Sequence, residues 1–415
     1  MKSIQQFLEF FFRKRWLGLL VIIALFVGIG ISTVYRGSFG PKQRTDLGVF
    51  FEGAKAVTTD EVINLYGVES IRHWHYVYSP FLAILTGPFT QFSFNLWVIV
   101  LYTLSFLVLL GTFLLSKKFT DRTESSNWQI ALAAVLCFPI FLNTLTRGQL
   151  GILMLFAQAL VFFFYLKGWK TLTGTILAFA VAIKISPLAI LFFFFLFKKE
   201  WEVLLSGALA SLFFWILFPS FTIGYETNLQ LLATWRGLMA QGSSITAHQS
   251  YLWNELLTPF AGDNQSLYAV ITRFVWPTEG AFIAQATNWV RWSVMAGLVV
   301  SLFLLFLKKQ PVQSFPVTGS DRLKLLAEYS LYPVLMLIFS PVTQIHHYTS
   351  LFFLLLAALW MLEKPFAHKK WLLTGIWASA ILFFFGFVIE PLSYLGAPMW
   401  GAFFLWGVVL VQLRD

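Results

Sequence analysis

Residues Trp16–Val34, WLGLLVIIALFVGIGISTV, contain no charged side chain and decide the class of fold. As an α-helix rising about 1.5 Å per residue, this stretch is long enough to cross a hydrocarbon core of about 30 Å. A second such stretch, WLLTGIWASAILFFFGFVI, covers Trp371–Ile389. Because similar windows recur to the last residues, the sequence predicts an all-α polytopic membrane protein and not a soluble domain with one anchor. The first window follows FFRKR, which contains three basic residues, and lacks a small-residue cleavage site, which favours a retained helix over a signal peptide.

The composition agrees with this class of protein. Of 415 residues, 58% are hydrophobic and 12% are charged, and the net charge is +10. In a membrane protein, excess lysine and arginine mainly record orientation and contact with anionic lipid. We therefore expect membrane lipids, and no nucleic acid, among the partners. The single cysteine, Cys137, allows no internal disulfide.

The hydrophobic windows divide the chain into about twelve predicted spans. They lie near residues 16–34, 96–116, 128–145, 150–166, 172–183, 187–197, 203–221, 292–307, 326–339, 348–362, 371–389 and 397–413. With both termini cytoplasmic, most of the 29 lysines and arginines fall on the inner side, as the positive-inside rule requires. This orientation requires that segment 78–92 does not cross, and its short length favours an interfacial or re-entrant piece. We predict one integral domain, residues 1–415, with extracytoplasmic segments 35–95 and 222–291.

The conspicuous polar residues fall on the extracytoplasmic side of this predicted topology. Polar residues placed only for structural reasons would divide between the two faces, so their convergence predicts a site there. The residues are Asp46, Arg147 with Gln149, Lys184, Asn264 with Gln265 and Arg273, and His346 with His347.

Asp46 precedes an amphipathic stretch that places Val49, Phe50 and Ala54 on one side. One interpretation is a helix N-cap, in which the carboxylate accepts hydrogen bonds from free backbone amides. Another is a general base, which takes a proton from an attacking hydroxyl group. Asp46 could serve both as a helix N-cap and as a general base. Other extracytoplasmic carboxylates compete for the role of base, namely Glu52, Asp60, Glu61, Glu255 and Asp263.

Arg147 and Lys184 each have two interpretations. Either side chain could extend along the helix to reach lipid phosphates at the interface. Alternatively, the planar guanidinium of Arg147 could bind a substrate phosphate through two hydrogen bonds, and Gly148 beside it would allow close approach of a ligand. Lys184 lies just before Pro187, where the helix is expected to break, and could act as a point charge for an anion.

His346 and His347 are consecutive, so on a helix they diverge by about 100° and cannot chelate one metal as an i, i+4 pair would. One histidine could make ordinary interfacial hydrogen bonds, and one could bind or protonate a phosphate oxygen. We expect no metal site and no required cofactor, although extracytoplasmic carboxylates could hold a loosely bound divalent cation. No GxSxG, GxxxxGK[ST] or GxGxxG motif occurs. Reactions powered directly by ATP are therefore not expected.

Six segments in order resemble one family of membrane enzymes. They are DLGVFFEGAKAV, YSPFLAILTGPF, TRGQLGILMLFAQAL, AVAIKISPLAILFFF, NQSLYAVITRF and SPVTQIHHYTSLFFLLL. The resemblance covers residues from about Asp46 to Leu355 and is to glycosyltransferase family 87, the polyprenol-phosphate-mannose-dependent mannosyltransferases of the GT-C superfamily. It implies a GT-C fold with an extracytoplasmic catalytic cavity and a polyprenyl-phosphate sugar donor. Mannose is the expected sugar, although some relatives transfer arabinofuranose.

The resemblance also implies roles for particular residues. Asp46 matches the base aspartate of the family, and His346 and His347 match its histidine pair near the donor phosphate. Lys184, Arg147, Gln149 and Tyr78 lie in matching segments. We assign Lys184, Arg147 and the histidines to the phosphate, and Tyr78 with Gln149 to substrate binding. Asn264, Gln265 and Arg273 are predicted to form a polar lid or acceptor surface. Gln344 and Ile345 depart from the family pattern, which bears on the local pocket.

These expectations describe an inverting transferase in the plasma (inner) membrane, acting in glycolipid biosynthesis for the cell envelope. The acceptor would be a hydroxyl of a glycolipid or glycan. One rival function is a transporter or flippase of lipid-linked saccharides, which broken helices and intramembrane charge would also fit. Another is a structural membrane protein with a degenerate site. A substrate-moving protein would tolerate Asp46→Asn better than a transferase would.

Overall fold

The chain is almost entirely helical in the computed structural model, which describes residues 15–40, 45–59, 61–70, 73–119, 127–241, 258–276, 287–307, 315–317, 320–363 and 368–413. The α-helices are, in order, α1 Arg15–Val34, α2 Leu47–Ala56, α3 Pro80–Thr86, α4 Phe94–Ser116, α5 Asn127–Leu136, α6 Phe138–Arg147, α7 Gly151–Leu166, α8 Lys170–Ile183, α9 Leu191–Phe197, α10 Trp201–Leu212, α11 Phe218–Ile223, α12 Tyr225–Gln241, α13 Leu267–Val275, α14 Thr287–Leu307, α15 Ser320–Phe339, α16 Leu351–Met361, α17 Lys369–Val388, α18 Glu390–Tyr394 and α19 Ala397–Gln412.

Five helical stretches within these residues are long and apolar enough to cross a membrane. They are Leu20–Phe39, Phe94–Ser116, Trp201–Ile223, Trp289–Leu307 and Lys369–Val388. Each corresponds to one of the predicted spans. The chain is therefore a multi-pass membrane protein, as the hydropathy predicted, but the structure does not confirm twelve crossings.

Several other predicted spans are shorter apolar helices, among them α7, α8 and α19. A helix of 16 residues, such as α7, reaches only about 24 Å at 1.5 Å per residue, which is short of a hydrocarbon core of about 30 Å. Within the predicted span 187–197, only the seven residues of α9 are α-helical. The predicted span 326–339 belongs to α15, whose first turns carry Asp321, Arg322 and Lys324.

The predicted span 128–145 is a bent pair of helices, which would make a sixth crossing if the pair is one span. The axes of α5 and α6 differ by 62° at Cys137. Pro139 lies in the first turn of α6. Because proline has no N–H group to continue the hydrogen bonding of a preceding helix, its position accounts for the break.

The centre of the protein is α16, in which every residue from Leu351 to Met361 is buried. A helix that is apolar on all sides has no face suited to water, so it is stable only where other helices surround it. Helices α5, α15 and α19 pack against α16. Trp406 of α19 also donates its indole N–H to the backbone oxygen of Leu331 in α15, at 3.0 Å.

Two groups of helix termini define two ends of the molecule. The first is here called the site end. It contains the end of α6, the start of α7, the end of α8 and the 3₁₀ segment Ile345–Ser350, which leads into α16. The hydroxyl of Thr349 donates to the backbone oxygen of Gly151 at 2.9 Å, which joins the 3₁₀ segment to the start of α7. Residues far apart in sequence therefore meet here.

At the other, the opposite end, α7 ends and α8 begins. Two ion pairs link the surrounding elements. Lys198 Nζ lies 2.6 Å from Glu328 Oε2 in a buried pair, and the partly exposed Lys170 places Nζ 2.7 Å from Glu200 Oε2. Tyr165 donates a further hydrogen bond to Glu200 at 2.8 Å. Through these two ion pairs and the tyrosine hydrogen bond, the carboxylates of Glu200 and Glu328 have partners within the protein, unlike several polar groups at the site end.

Candidate active site

Asp46 lies at the start of α2, against the turn between α6 and α7. Its backbone N–H donates to the backbone oxygen of Arg147 at 2.9 Å, and the Thr45 hydroxyl donates to the same oxygen at 3.0 Å. The amphipathic pattern of α2 is confirmed, because Val49, Phe50 and Ala54 are all buried. That apolar face fixes α2, and the two hydrogen bonds fix Asp46 beside the turn.

The turn itself depends on Gly148, whose φ is +66°. This left-handed conformation costs glycine nothing and strains residues that carry a Cβ. A Cβ atom at Gly148 would also collide with Leu47 and Thr45. Glycine is thus what allows the start of α2 to approach Arg147 so closely.

The carboxylate of Asp46 is buried, with only 6% of the residue exposed. Its Oδ2 atom accepts hydrogen bonds from Gln149 Nε2 and, at 3.4 Å, from Arg147 Nε. The Tyr78 hydroxyl donates to Gln149 Oε1 at 3.3 Å and so holds the amide in this orientation. Asp46 occupies the N-cap position of α2, but its side chain caps no amide there, so the capping interpretation is wrong.

The second carboxylate oxygen, Asp46 Oδ1, is buried and has no hydrogen-bond partner among the described residues. A buried acceptor without a partner costs free energy, and such groups in a native fold call for an explanation. An oxygen of this kind can accept a proton or a hydrogen bond from a bound hydroxyl group.

Lys184 follows α8 and has extended backbone. Its ammonium group is buried and has no hydrogen-bond partner in the described part of the chain, and it lies 5.6 Å from the centre of the Tyr78 ring. Burial lowers the pKa of Lys184 from its ordinary 10.5 to about 8; Asp46 opposes this shift and Arg147 adds to it. A buried cation without a partner is suited to bind an anion.

His346 and His347 are the second and third residues of the 3₁₀ segment, with ring centres 4.2 Å apart and planes at 71°. Nδ1 of His347 accepts a hydrogen bond from the backbone N–H of Gln344 at 3.0 Å, so the neutral ring carries its proton on Nε2. Nδ1 of His346 is buried and has no partner among the described residues. The backbone oxygen of His346 accepts from the Thr144 hydroxyl at 3.2 Å, which joins this segment to α6.

These groups form one electrostatic cluster at the site end, here called the site cluster: Asp46, Tyr78, Arg147, Gln149, Lys184, His346 and His347. Arg147 and Lys184 are close enough to act electrostatically on both histidines. Nη1 of Arg147 also lies 3.8 Å from Oδ2 of Asp263, which is largely exposed. The cluster thus offers a buried carboxylate oxygen beside two cations, and it can accept a proton and hold an anion.

Asn264, Gln265 and Arg273 also lie at the site end, and each makes hydrogen bonds within the protein. Oε1 of Gln265 and Nε and Nη2 of Arg273 are buried without a hydrogen-bond partner among the described residues. Asn264 Oδ1 accepts from the backbone N–H of Thr343 at 3.2 Å, and Gln265 Nε2 donates to the backbone oxygen of Ser393 at 2.8 Å. Nη1 of Arg273 donates to three backbone oxygens of residues 259–264. These bonds hold segment 258–266 in place, and a contact with substrate stays a prediction.

Of the carboxylates that compete with Asp46, Asp263 alone is joined to the site cluster by a described ion pair. Glu52 lies on α2 and Glu61 precedes a short 3₁₀ turn, whereas Asp60 and Glu255 lie outside the described residues. Thr45 and Thr144, which donate to the backbone oxygens of Arg147 and His346, were not predicted from the sequence. Threonine is common in membrane helices, so no local pattern distinguishes these two.

The comparisons with known proteins bear on the family. Comparisons with curated proteins and with solved structures gave no match. The sequence model of glycosyltransferase family 87 matches residues 76–341, which is more than half of the chain and includes Tyr78, Arg147, Gln149 and Lys184. The match begins after Asp46 and ends before His346. On this match and the helical membrane fold, the chain belongs to glycosyltransferase family 87.

Proposed function

We propose that this glycosyltransferase transfers a sugar, with mannose as the first choice, from a polyprenyl-phosphate donor to a hydroxyl group of a glycolipid or glycan. Asp46 is the proposed general base. The observation that carries the proposal is that Oδ1 of Asp46 and the ammonium group of Lys184 are both buried without a partner among the described residues, and that Asp46 acts electrostatically on Lys184. One group accepts a proton and the other receives a phosphate, which are the two requirements of the reaction.

In the proposed step, the acceptor oxygen attacks the anomeric carbon while its proton passes to Asp46 Oδ1. The bond between the anomeric carbon and the phosphate oxygen breaks, and its electron pair leaves with polyprenyl phosphate. A single displacement of this kind inverts the anomeric centre, so a β-linked donor gives an α-linked product. Gln149 and Arg147 hold Oδ2, which leaves Oδ1 for the proton.

Phosphate handling is assigned to Lys184, Arg147 and the histidines. Fixed cations stabilise the negative charge that develops on the leaving phosphate, and they do so more strongly where water is excluded. The tautomer set by Gln344 places the proton of His347 on Nε2, which suits donation to a phosphate oxygen. No cofactor is required in this proposal.

The proposed location is the plasma (inner) membrane, with both termini cytoplasmic and the site end on the extracytoplasmic face. A polyprenyl tail would lie against apolar helices while its phosphate reaches the site cluster. Segment 258–266 is the proposed acceptor side, because Asp263 within it lies 3.8 Å from Arg147. Asn264, Gln265 and Arg273 would shape that side.

The test is sugar transfer by the purified protein in lipid, with polyprenyl-phosphate mannose and a panel of glycolipid acceptors. General-base catalysis contributes about 10²–10⁴-fold, so Asp46→Asn should lower turnover by that factor while donor binding is retained. Asp263→Asn is the matched control, since it removes a carboxylate near the same arginine. It should keep turnover within about tenfold of wild type, because an exposed ion pair contributes little.

Equal turnover in wild type and Asp46→Asn would remove Asp46 from the role of base. A larger loss in Asp263→Asn than in Asp46→Asn would move that role to Asp263. Donor movement across the bilayer without product formation, unchanged by Asp46→Asn, would favour the flippase.

A further inference from the structure

Helices α17 and α19 form an antiparallel pair that runs from the site end to the opposite end. Gly386 of α17 lies against Pro398 near the start of α19, and Gly375 lies against Val408 near its end. At the site end, Ser393 between the two helices accepts the hydrogen bond from Gln265. The start of α17 and the last turn of α19 therefore meet at the opposite end, away from the site cluster.

An apolar groove of about 440 Å³ lies between these two helices at the opposite end. Its walls include the side chains of Trp371, Phe403, Phe404 and Val408, and Gly407 forms part of its floor. This volume falls within the range of about 300–1,000 Å³ that is typical of sites for small molecules. Trp371 is 61% exposed, so the groove is open on the outer surface of the helix pair.

One polar side chain that lines the groove makes no hydrogen bond to the described residues. Gln412 lines the groove and is only 1% exposed, and both its Nε2 and Oε1 atoms lack a hydrogen-bond partner among the described residues. A buried carboxamide without partners costs free energy, and more so in an apolar environment. A ligand that both accepts and donates hydrogen bonds would satisfy it.

Two adjacent cations lie in the chain between His368 and Trp371, both of which line the groove. Lys369 and Lys370 are exposed in the first turn of α17, directly before Trp371. Because α17 is apolar and long enough to cross the membrane, the face beside it meets lipid, and these lysines lie at the level of headgroups. They favour an anionic ligand over a neutral one.

We infer that this groove binds an anionic phospholipid, with one acyl chain between α17 and α19 and the headgroup between Gln412 and the two lysines. The phosphate would receive hydrogen bonds from Gln412 Nε2 and the ammonium groups, and a headgroup hydroxyl would donate to Gln412 Oε1. Phosphatidylglycerol carries both groups. The site is separate from the site cluster, so it stands whether or not the proposed function holds.

The test uses a substitution whose side chain would fill the groove without disturbing the helix. A Cβ atom at Gly407 would meet open space, so Gly407→Leu should fold and occupy the volume of the acyl chain. Gly28→Leu is the matched control, since Gly28 lies on the membrane-crossing helix α1 and its Cβ would also meet open space. Each protein is placed in nanodiscs of palmitoyl-oleoyl phosphatidylglycerol and phosphatidylcholine in equal amounts, and bound lipid is counted by native mass spectrometry.

Wild type and Gly28→Leu should retain one phosphatidylglycerol in preference to phosphatidylcholine, and Gly407→Leu should lose it. Removing both charges in Lys369→Gln with Lys370→Gln should weaken retention by about fivefold or more, because each lysine near an anionic headgroup contributes measurably. The control pair, Lys117→Gln with Lys118→Gln after α4, should leave retention unchanged.

Three results would overturn the inference. Equal retention of the two lipids by wild type would remove the headgroup site, and unchanged phosphatidylglycerol retention in Gly407→Leu would remove the groove. A wild-type dimer that becomes monomeric in Gly407→Leu, with no retained lipid in either, would assign the groove to a subunit interface. Melting temperatures of the variants, compared with Gly28→Leu, identify any that fail to fold.

Discussion

Asp46 and Arg147, 101 residues apart in sequence, are joined both through their backbones and through their side chains. The backbone N–H of Asp46 donates to the backbone oxygen of Arg147 at 2.9 Å, and Arg147 Nε lies 3.4 Å from Asp46 Oδ2. The side-chain pair therefore does not depend on the flexibility of a long arginine alone. The proposed base and one proposed phosphate ligand are therefore held together by contacts of both kinds.

Gln149 is expected to position Asp46 and not to bind the donor. Gln149→Leu removes the hydrogen bond to Oδ2, so kcat should fall by about 10–100-fold while KM for the donor changes little. Tyr78→Phe, which removes only the bond to the Gln149 amide at 3.3 Å, should cost less than about fivefold. Steady-state kinetics of both variants test whether Gln149→Leu lowers kcat more than Tyr78→Phe does. An equal rise of KM in both would show that they bind substrate instead.

Lys184 should give donor binding a pH dependence. Its pKa is lowered to about 8, so the ammonium form that binds phosphate predominates below pH 8 and is lost above it. Donor affinity should therefore fall by about tenfold per pH unit above that value. Lys184→Arg, charged at every pH used, should bind with little change to pH 10. Lys184→Met should bind weakly throughout. The measurement is donor binding by calorimetry from pH 6 to 10, and a wild-type pH profile retained by Lys184→Met would contradict the assignment.

Gly148→Ala should damage the site through the backbone. The substitution strains a φ of +66° and forces Leu47 away from the turn, so α2 must shift with Asp46. We expect about 1–3 kcal/mol of lost stability and at least about tenfold lower turnover. Gly224→Ala is the control, because Gly224 also has positive φ, at +88°, but its Cβ would meet nothing closer than 3.8 Å. It should lower the melting temperature without a comparable loss of turnover.

Asn264 is expected to act on stability. Asn264→Leu leaves the backbone N–H groups of Ser266 and Thr343 without their acceptor, which should cost about 1–3 kcal/mol. Thermal unfolding in detergent measures this change. The matched substitution Asn143→Leu changes a residue of α6 whose Oδ1 has no partner among the described residues, so it should cost less. Unchanged stability of Asn264→Leu together with a raised KM for the acceptor would favour a direct substrate contact.

The class of the protein, and the proximity of several polar residues of the site cluster, were predictable from sequence. Hydropathy is a local property, so windows such as Trp16–Val34 predict membrane helices without knowledge of the fold. Asp46, Arg147, Gln149, Lys184 and the histidine pair were predicted to share one face because the topology that the positive-inside rule favours places all of them on the extracytoplasmic side. The structure brings them to one end of the molecule.

Only the tertiary structure decided how each apolar window is used and which polar atoms are free. Helix α16 is as apolar as a membrane span, yet every residue in it is buried against other helices, and hydropathy alone does not distinguish a protein interior from lipid. In the same way, the sequence analysis placed both Asp46 and Asn264 in the predicted site. Hydrogen bonds formed across long sequence distances satisfy Asn264 and leave Oδ1 of Asp46 open. Such pairing depends on which segments meet, and that is a property of the packed chain.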